Sequence, residues 1–423
     1  MQPTYYRVGK YGTLVYLATA RFKTDLLSVH FAVPIKEETA QQNALAFSLP
    51  QRGTVQYPTL AALNRRLDYL YSTGISVGNR RLGDMQSLSL TADFLGAKYV
   101  EGGKGILAEV VEMLAELLTR PLVDEKGVFT SEYVAREKQQ LAAAIRSAKN
   151  SPRDCAAICY RELLYAGEPH ALSLSGKEET LAANTPEALW ARHGALLTET
   201  APVFCYVGST PAAEVLSLLE GKFATLGAAP APYRSALRPA GEVREAEVTR
   251  ACTQSIVKLG FRADIAENDP LLPALSVFNE LFGGSPASRL FLNVREKQGL
   301  CYRCSSALQK RKSTVTATAA VKEKNITVAK EAMLGEFSAL QNGNFTAREL
   351  QIAKDALLNT YRSAFDYPGS FSKFYVSGFL SGSDTTLGEE KEKIARVTAD
   401  DVLAAGKRLA LDAVFCLRGE VKE

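Results

Sequence analysis

Histidine is almost missing from this chain: 423 residues hold three, His30, His170 and His193, and no two lie within helical reach of each other. Paired imidazoles on one helix, the commonest frame of a catalytic zinc site, are therefore excluded. No apolar run reaches the roughly 20 residues of a membrane span. The first residues, Met1 to Tyr6, lack the basic and apolar regions of a secretory signal, so the expected location is the cytoplasm, with no membrane partner. The formal charge of +4 is spread along the chain without a basic stripe interleaved with aromatics, which argues against nucleic acid. Gly283-Gly284-Ser285-Pro286 lacks the lysine and spacing of a phosphate loop and reads as a helix end and restart. Seven cysteines, an odd number in a long chain without an export signal, point to reduced thiols.

What is present is a repeat. Ala135-Arg136-Glu137-Lys138-Gln139 returns as Ala347-Arg348-Glu349-Leu350-Gln351, an offset of 347 − 135 = 212, and Val203-Phe204-Cys205 returns as Val414-Phe415-Cys416, an offset of 414 − 203 = 211. Thr185 and Thr398 each open a short helical pattern, 398 − 185 = 213 apart. Offsets near half the length indicate duplication of a unit far longer than a solenoid repeat. With 46% hydrophobic and 23% charged residues, there is apolar material for two cores.

Alternation and helical periodicity predict strands near 12–17, 26–33 and 88–94, and helices near 60–73 and 104–118. The second half gives strands near 253–262, 301–309 and 313–321, and helices near 269–282, 286–297, 325–341 and 346–365. Thr346 with Glu349 and Thr398 with Asp401 have capping-box spacing. Pro and Gly accumulate through 227–243, which reads as a linker between a domain at 1–226 and one at 244–423. Strands followed by long helices in each half describe an α+β protein of two duplicated domains. Each is expected to be a mostly antiparallel sheet with helices on one face, the two closing as a clamshell. No βαβ alternation supports a Rossmann fold. Lys310-Arg311-Lys312 reads as a solvated hairpin turn. Cys301 and Cys304, three apart in a strand, are expected on opposite faces, and Cys155 with Cys159 share a helix face as packing.

The segment from Ala287 to Tyr302 resembles a signature of the insulinase, pitrilysin and mitochondrial processing peptidase superfamily. The resemblance implies a helix ending in Arg295-Glu296-Lys297, a turn at Gly299, and a strand whose Tyr302 faces the substrate cleft with Arg295. Such a pair offers fixed guanidinium donors and a phenol to a peptide carbonyl or carboxylate. The bland alternative is an arginine at its own helix end and a half-buried strand tyrosine. Peptide-cleaving members carry His-x-x-Glu-His on a first-domain helix, with a later glutamate as third zinc ligand. Counting back from Arg52-Gly53-Thr54, those positions hold Ala44, Phe47 and Ser48, and the later ligand falls at Ala144. The resemblance therefore implies no metal, no cofactor and no catalytic residues. Asn43-Ala44-Leu45, Arg52-Gly53-Thr54 and Arg21-Phe22-Lys23-Thr24 resemble a non-catalytic bacterial branch associated with 5-aminopentanol modification of elongation factor P. That likeness implies a companion chain that keeps the zinc motif.

Three functions follow as expectations. The first is a catalytically silent subunit that pairs as a heterodimer with an active zinc-peptidase paralogue and holds a peptide or protein substrate. The second is a non-proteolytic binding or assembly factor for a translation-factor modification pathway. The third, a cysteine hydrolase, needs a base beside a thiol that the sequence does not locate.

Overall fold

The computed structural model describes residues 2–103, 105–230, 235–364 and 366–420; residues 231–234 of the expected linker lie outside the described residues. The first sheet contains β1 (Thr4–Val8), β2 (Gly12–Ala18), β3 (Thr24–Pro34), β4 (Gly74–Leu82), β5 (Met85–Leu95) and β6 (Val203–Gly208), in the order β1-β2-β6-β3-β5-β4. The second contains β7 (Arg244–Ala251), β8 (Ser255–Arg262), β9 (Cys301–Gln309), β10 (Thr314–Val321) and β11 (Ala410–Glu420), in the order β7-β11-β8-β10-β9. With β1 set aside the two orders are the same. In both, the first strand pairs parallel with the last, β2 with β6 and β7 with β11, and every other pairing is antiparallel. The repeat at Val203 and Val414 thus falls on equivalent strands, and the α+β duplication expected from the offsets is what the chain builds.

Each sheet buries one face under long helices. In the first unit the helix Leu107–Thr119 presents Val110, Val111, Leu114, Leu117 and Leu118 to Leu27, Val29, Phe31, Leu88 and Leu90 of the sheet. Each such side chain contributes about 1.5–3 kcal/mol on burial. In the second, Phe261 of β8 stacks on Phe337 of the helix Ile326–Gln341 with ring centroids 3.8 Å apart. The expected caps form: Glu349 N donates to Thr346 Oγ1 at 3.1 Å while Thr346 N donates to Glu349 Oε2 at 2.8 Å, and Thr398 with Asp401 does the same.

The compact units are not the continuous stretches 1–226 and 244–423. One comprises Met1–Arg146, Leu172–Arg234 and Ala364–Thr386, the other Ser147–Ala171, Ser235–Ser363 and Leu387–Glu423. Each half of the chain has given a helix to the other half's unit, and the two donated helices, Pro152–Leu164 and Pro368–Leu380, are themselves repeat equivalents, 368 − 152 = 216 apart. Cys155, Ala156, Tyr160 and Leu164 bury against Ala413, Phe415 and Leu417 of β11. In the first unit Ser372 Oγ lies 3.1 Å from Ser28 Oγ of β3, and Phe371 meets Phe22 edge-on at 6.0 Å. These helices cover the sheet faces opposite the long helices, so the one-face arrangement expected from the pattern extends to both faces. β6, covered on both sides, is accordingly buried throughout.

The run Lys310–Lys312 is not a solvated turn. Lys310 pairs with Glu390 at 2.8 Å, Arg311 with Glu267 at 3.2 Å, and Lys312, fully buried, with Glu168 at 2.6 Å and the Ala236 carbonyl at 2.7 Å. The chain reverses there through Ser313 at φ 50; Lys312 points inward to the buried Glu168 carboxylate, while Lys310 and Arg311 pair nearer the surface.

Candidate functional site

The helix Glu37–Ser48 carries the three positions where a zinc motif would lie. Phe47 is buried in the first core, edge-on to Phe31 at 5.7 Å, so a ring packs where a general base would stand. Ala44 is a half-buried methyl. Ser48 Oγ donates to Leu45 O at 3.0 Å and to Glu137 Oε2 at 3.1 Å. Glu137, on the helix Ser131–Asn150, is also bound by Arg52 Nε, so its charge is already met by a guanidinium. Ala144 lies about two turns further along that helix, exposed. Two methyls, a phenyl ring and a hydroxyl committed to a carboxylate do not supply the imidazole and carboxylate donors that zinc requires. The residues present do not fit the metal.

The histidines are structural. His30 is buried in β3 with its Nε2 2.9 Å from Ser28 Oγ; burial, aided by the Arg80 charge, pushes its pKa down to about 3. His193 Nε2 lies 2.8 Å from Leu118 O and is likewise pushed down by burial. His170 is buried with its ring 4.3 Å from that of Tyr165.

The segment with Arg295 and Tyr302 is built by two glycines. Gly283 lets the preceding helix approach the edge strand, since a Cβ there would sit 2.4 Å from Ser306 N of β9. Gly299, at φ +62, makes the turn into β9 in a conformation side chains disfavour. Arg295 is about one-third exposed, its guanidinium 4.5 Å over the Phe291 ring and 3.3 Å from Glu296. Tyr302 is 59% exposed, and among the described residues no hydrogen bond joins the two. Both are accessible on the second unit.

The strand between them holds a feature that alternation cannot show. Ala319 pairs with Cys304 and Ala320 with Arg303, but Val321 pairs with Cys301, so Tyr302 is the extra residue of a bulge. A bulge sets two neighbours against one partner and turns their side chains the same way. Tyr302 and Arg303 therefore both project outward. The slip also corrects the expectation for the cysteines: Cys301 and Cys304 share a face, Cys304 inside the second core and Cys301 packed against it. Hydrogen bonding from the Cys304 thiol, then the Arg295 charge, holds the Cys301 thiol below its ordinary value. Burial, with Cys155 beside it, raises that of Cys159, and burial pushes Cys205 up to about 12. Alkylation with iodoacetamide near neutral pH is expected to label Cys301 before Cys159, Cys205 or Cys416, because the thiolate is the reactive form. Peptide mapping by mass spectrometry checks the order, and labelling of Cys159 first would contradict it.

The exposed Arg303, the Glu137–Arg52–Ser48 cluster and the strand lysine Lys258 were not singled out from sequence. For Lys258 the signal was available: a lone cation between Val257 and Leu259 in an apolar strand.

Duplicated units of this topology, with a filled metal position in one and the Arg295–Tyr302 segment in the other, define a protein of insulinase-like peptidase architecture. The comparisons agree with that architecture: residues 184–357 match the family described as peptidase M16 inactive domain. It is 26% identical over 405 residues to the probable inactive metalloprotease YmfF of Bacillus subtilis (strain 168), covering 95% of this chain and 94% of that protein. A conserved protein from Enterococcus faecalis V583, known from its crystal structure, matches with a TM-score of 0.90 at 26% identity across 100% of both chains. The peptidase M16 inactive domain from Pseudomonas fluorescens shares the fold, with a TM-score of 0.80 at 19% identity across 100% of both chains. The likeness to YmfF, with the match to the inactive-domain family, groups this chain with the non-catalytic members.

Proposed function

We propose that this chain is a catalytically silent subunit that pairs with an active relative carrying His-x-x-Glu-His and contributes peptide-binding groups to the joint enzyme. One observation carries the reading: Arg295 and Tyr302 stay accessible on a purpose-built helix, turn and bulge, while the zinc positions are packed with Phe47 and occupied by Ser48. A side chain kept for packing alone would not need an exposed bulge. In a heterodimer this chain would orient the peptide, and the relative would supply metal and base. The cytoplasm is the proposed location; among the described residues no helix is long and apolar enough to cross a membrane. The short segments Asn43-Ala44-Leu45 and Arg52-Gly53-Thr54, which resemble the non-catalytic bacterial branch, are the ground for proposing a role in a pathway modifying elongation factor P, and the non-proteolytic assembly factor is the reading left if no peptidase partner exists.

Co-expression with an active relative tests the pairing. Peptide cleavage by the pair should exceed that of the relative alone at least tenfold. Arg295→Ala with Tyr302→Phe should lower the pair's kcat/KM by about 10²-fold, the loss of one or two hydrogen bonds to a developing charge. Equal cleavage by the relative alone, with no effect of the double variant, would remove the composite site.

A further inference from the structure

The second sheet's face turned away from the long helices carries Lys258 and Arg303, with Arg153 on the helix that covers part of it, and among the described residues none of these three is paired with an acid. Lys258 stands in the middle of β8, its Nζ 3.2 Å from Thr318 Oγ1 and 5.1 Å over the Tyr160 ring. Arg153 begins the donated helix Pro152–Leu164, and Arg303 projects from the bulge of β9. Of the three, Lys258 is partly buried while Arg153 and Arg303 are exposed, and three buried or half-buried cations elsewhere in this unit are paired: Arg262 and Lys312 with Glu168, Arg262 also with Asp412, and Lys310 with Glu390. A cation withdrawn from water beside like charges is unfavourable unless something neutralises it. Burial, with Arg153 and Arg303 adding to it, pushes the Lys258 ammonium down to about 8.

The surroundings indicate the counter-charge. Thr316, Thr318 and Ala320 of β10 and Ser305 and Ala307 of β9 give this face a floor of short side chains, beside a sheet edge at β9. Lys258 is in register with Thr318 and Arg303 with Ala320, two strands and one same-face row apart. Strand geometry puts their backbones roughly 10 Å apart across the sheet and roughly 7 Å along it. That spread suits carboxylates along an extended chain better than one compact phosphate.

We propose that Lys258, Arg303 and Arg153 form a binding site for an acidic peptide segment, whose Asp or Glu side chains pair with them across the Thr318 floor. The assignment deepens the peptide-holding function and rests on it, but it concerns this chain alone. The test uses the full-length protein and fluorescence anisotropy with a labelled Glu-rich decapeptide, a Lys-rich peptide of equal length, and inorganic phosphate as competitor. The Glu-rich peptide should bind at least tenfold more tightly than the Lys-rich one and weaken steadily with added salt. Arg303→Gln, at an exposed position that leaves the fold intact, should lower the affinity severalfold and Lys258→Gln with Arg303→Gln at least tenfold. Arg136→Gln, an exposed cation of the first unit, should not change it. Equal binding of both peptides, no loss in the double variant, or displacement by phosphate at concentrations below those of competing free Glu-rich peptide would overturn the proposal. Acidic selectivity without partner-dependent cleavage would defeat the pairing and leave this site standing. Cleavage without acidic selectivity would do the reverse.

Discussion

Replacing Arg262 with alanine is expected to destabilise the second unit by about 3–5 kcal/mol, the usual penalty for stripping one partner from a buried ion cluster. Arg262 is among the largest fully buried side chains of the chain. It pairs with Glu168 at 2.9 Å and Asp412 at 3.1 Å, donates to the Leu164 carbonyl at 2.6 Å, and lies 5.4 Å over the Tyr165 ring. Asp412 also holds Arg244 at 2.6 Å and accepts from Gly241 N at 3.1 Å. The cluster is what fastens the donated segment Ser147–Ala171 to β8 and β11. Its loss leaves two buried carboxylates short of a cation and loosens the helix that covers one face of the sheet. Urea unfolding followed by tryptophan-independent far-UV dichroism should show the second unit's transition at lower denaturant. Arg262→Lys should cost less than Arg262→Ala, because Glu168 and Asp412 then keep a cation between them. A loss below about 1 kcal/mol for Arg262→Ala would mean that water reaches the cluster and the fastening lies elsewhere.

The duplication was legible because equivalent strands kept their residues: Val203 and Val414 pair in parallel with β2 and β7 in identical topologies. The exchange of Pro152–Leu164 and Pro368–Leu380 was not, since an amphipathic helix shows that a face is buried but not which sheet buries it. The available hint was β6, whose six residues are all buried and so need cover on both sides. β4 escaped notice for a different reason: Gly74–Leu82 has two glycines, two arginines and no fully buried residue, so it lacks the alternation that marks a strand. The Lys310–Lys312 run was misread because its three carboxylates come from Glu390, Glu267 and Glu168, all remote in sequence.

At the site, substitutions in an aligned motif were readable and geometry was not. Ala44, Phe47 and Ser48 name their own chemistry, whereas Arg52 meeting Glu137 depends on two helices packing. The bulge at Tyr302 matters most here. One inserted residue changes which side chains share a face, so a strict period of two separates Cys301 from Cys304 and hides Arg303 beside Tyr302.

Acid should weaken the first unit through His30. The ring is buried between β4, which brings Arg80, and the donated helix, which reaches it through Ser372 and Ser28. Its native pKa of about 3 lies below the unfolded value of about 6.5, so between those limits the unfolded chain binds more protons and stability rises with pH. Above pH 6.5 the contribution is complete. It is lost as pH falls, by about 2 kcal/mol at pH 5 and approaching 5 kcal/mol near pH 3, at about 1.4 kcal/mol per unit. His193, shifted the same way, adds to the slope. Carboxylates titrate over the lower part of this range, so the informative quantity is a difference between proteins. His30→Gln keeps a donor for Ser28 but has no proton to gain. Between pH 7.5 and pH 5 the variant should lose about 2 kcal/mol less than the parent in urea unfolding. Equal losses would show that His30 is protonated in place, with its charge accommodated beside Arg80, and that the acid sensitivity has another source.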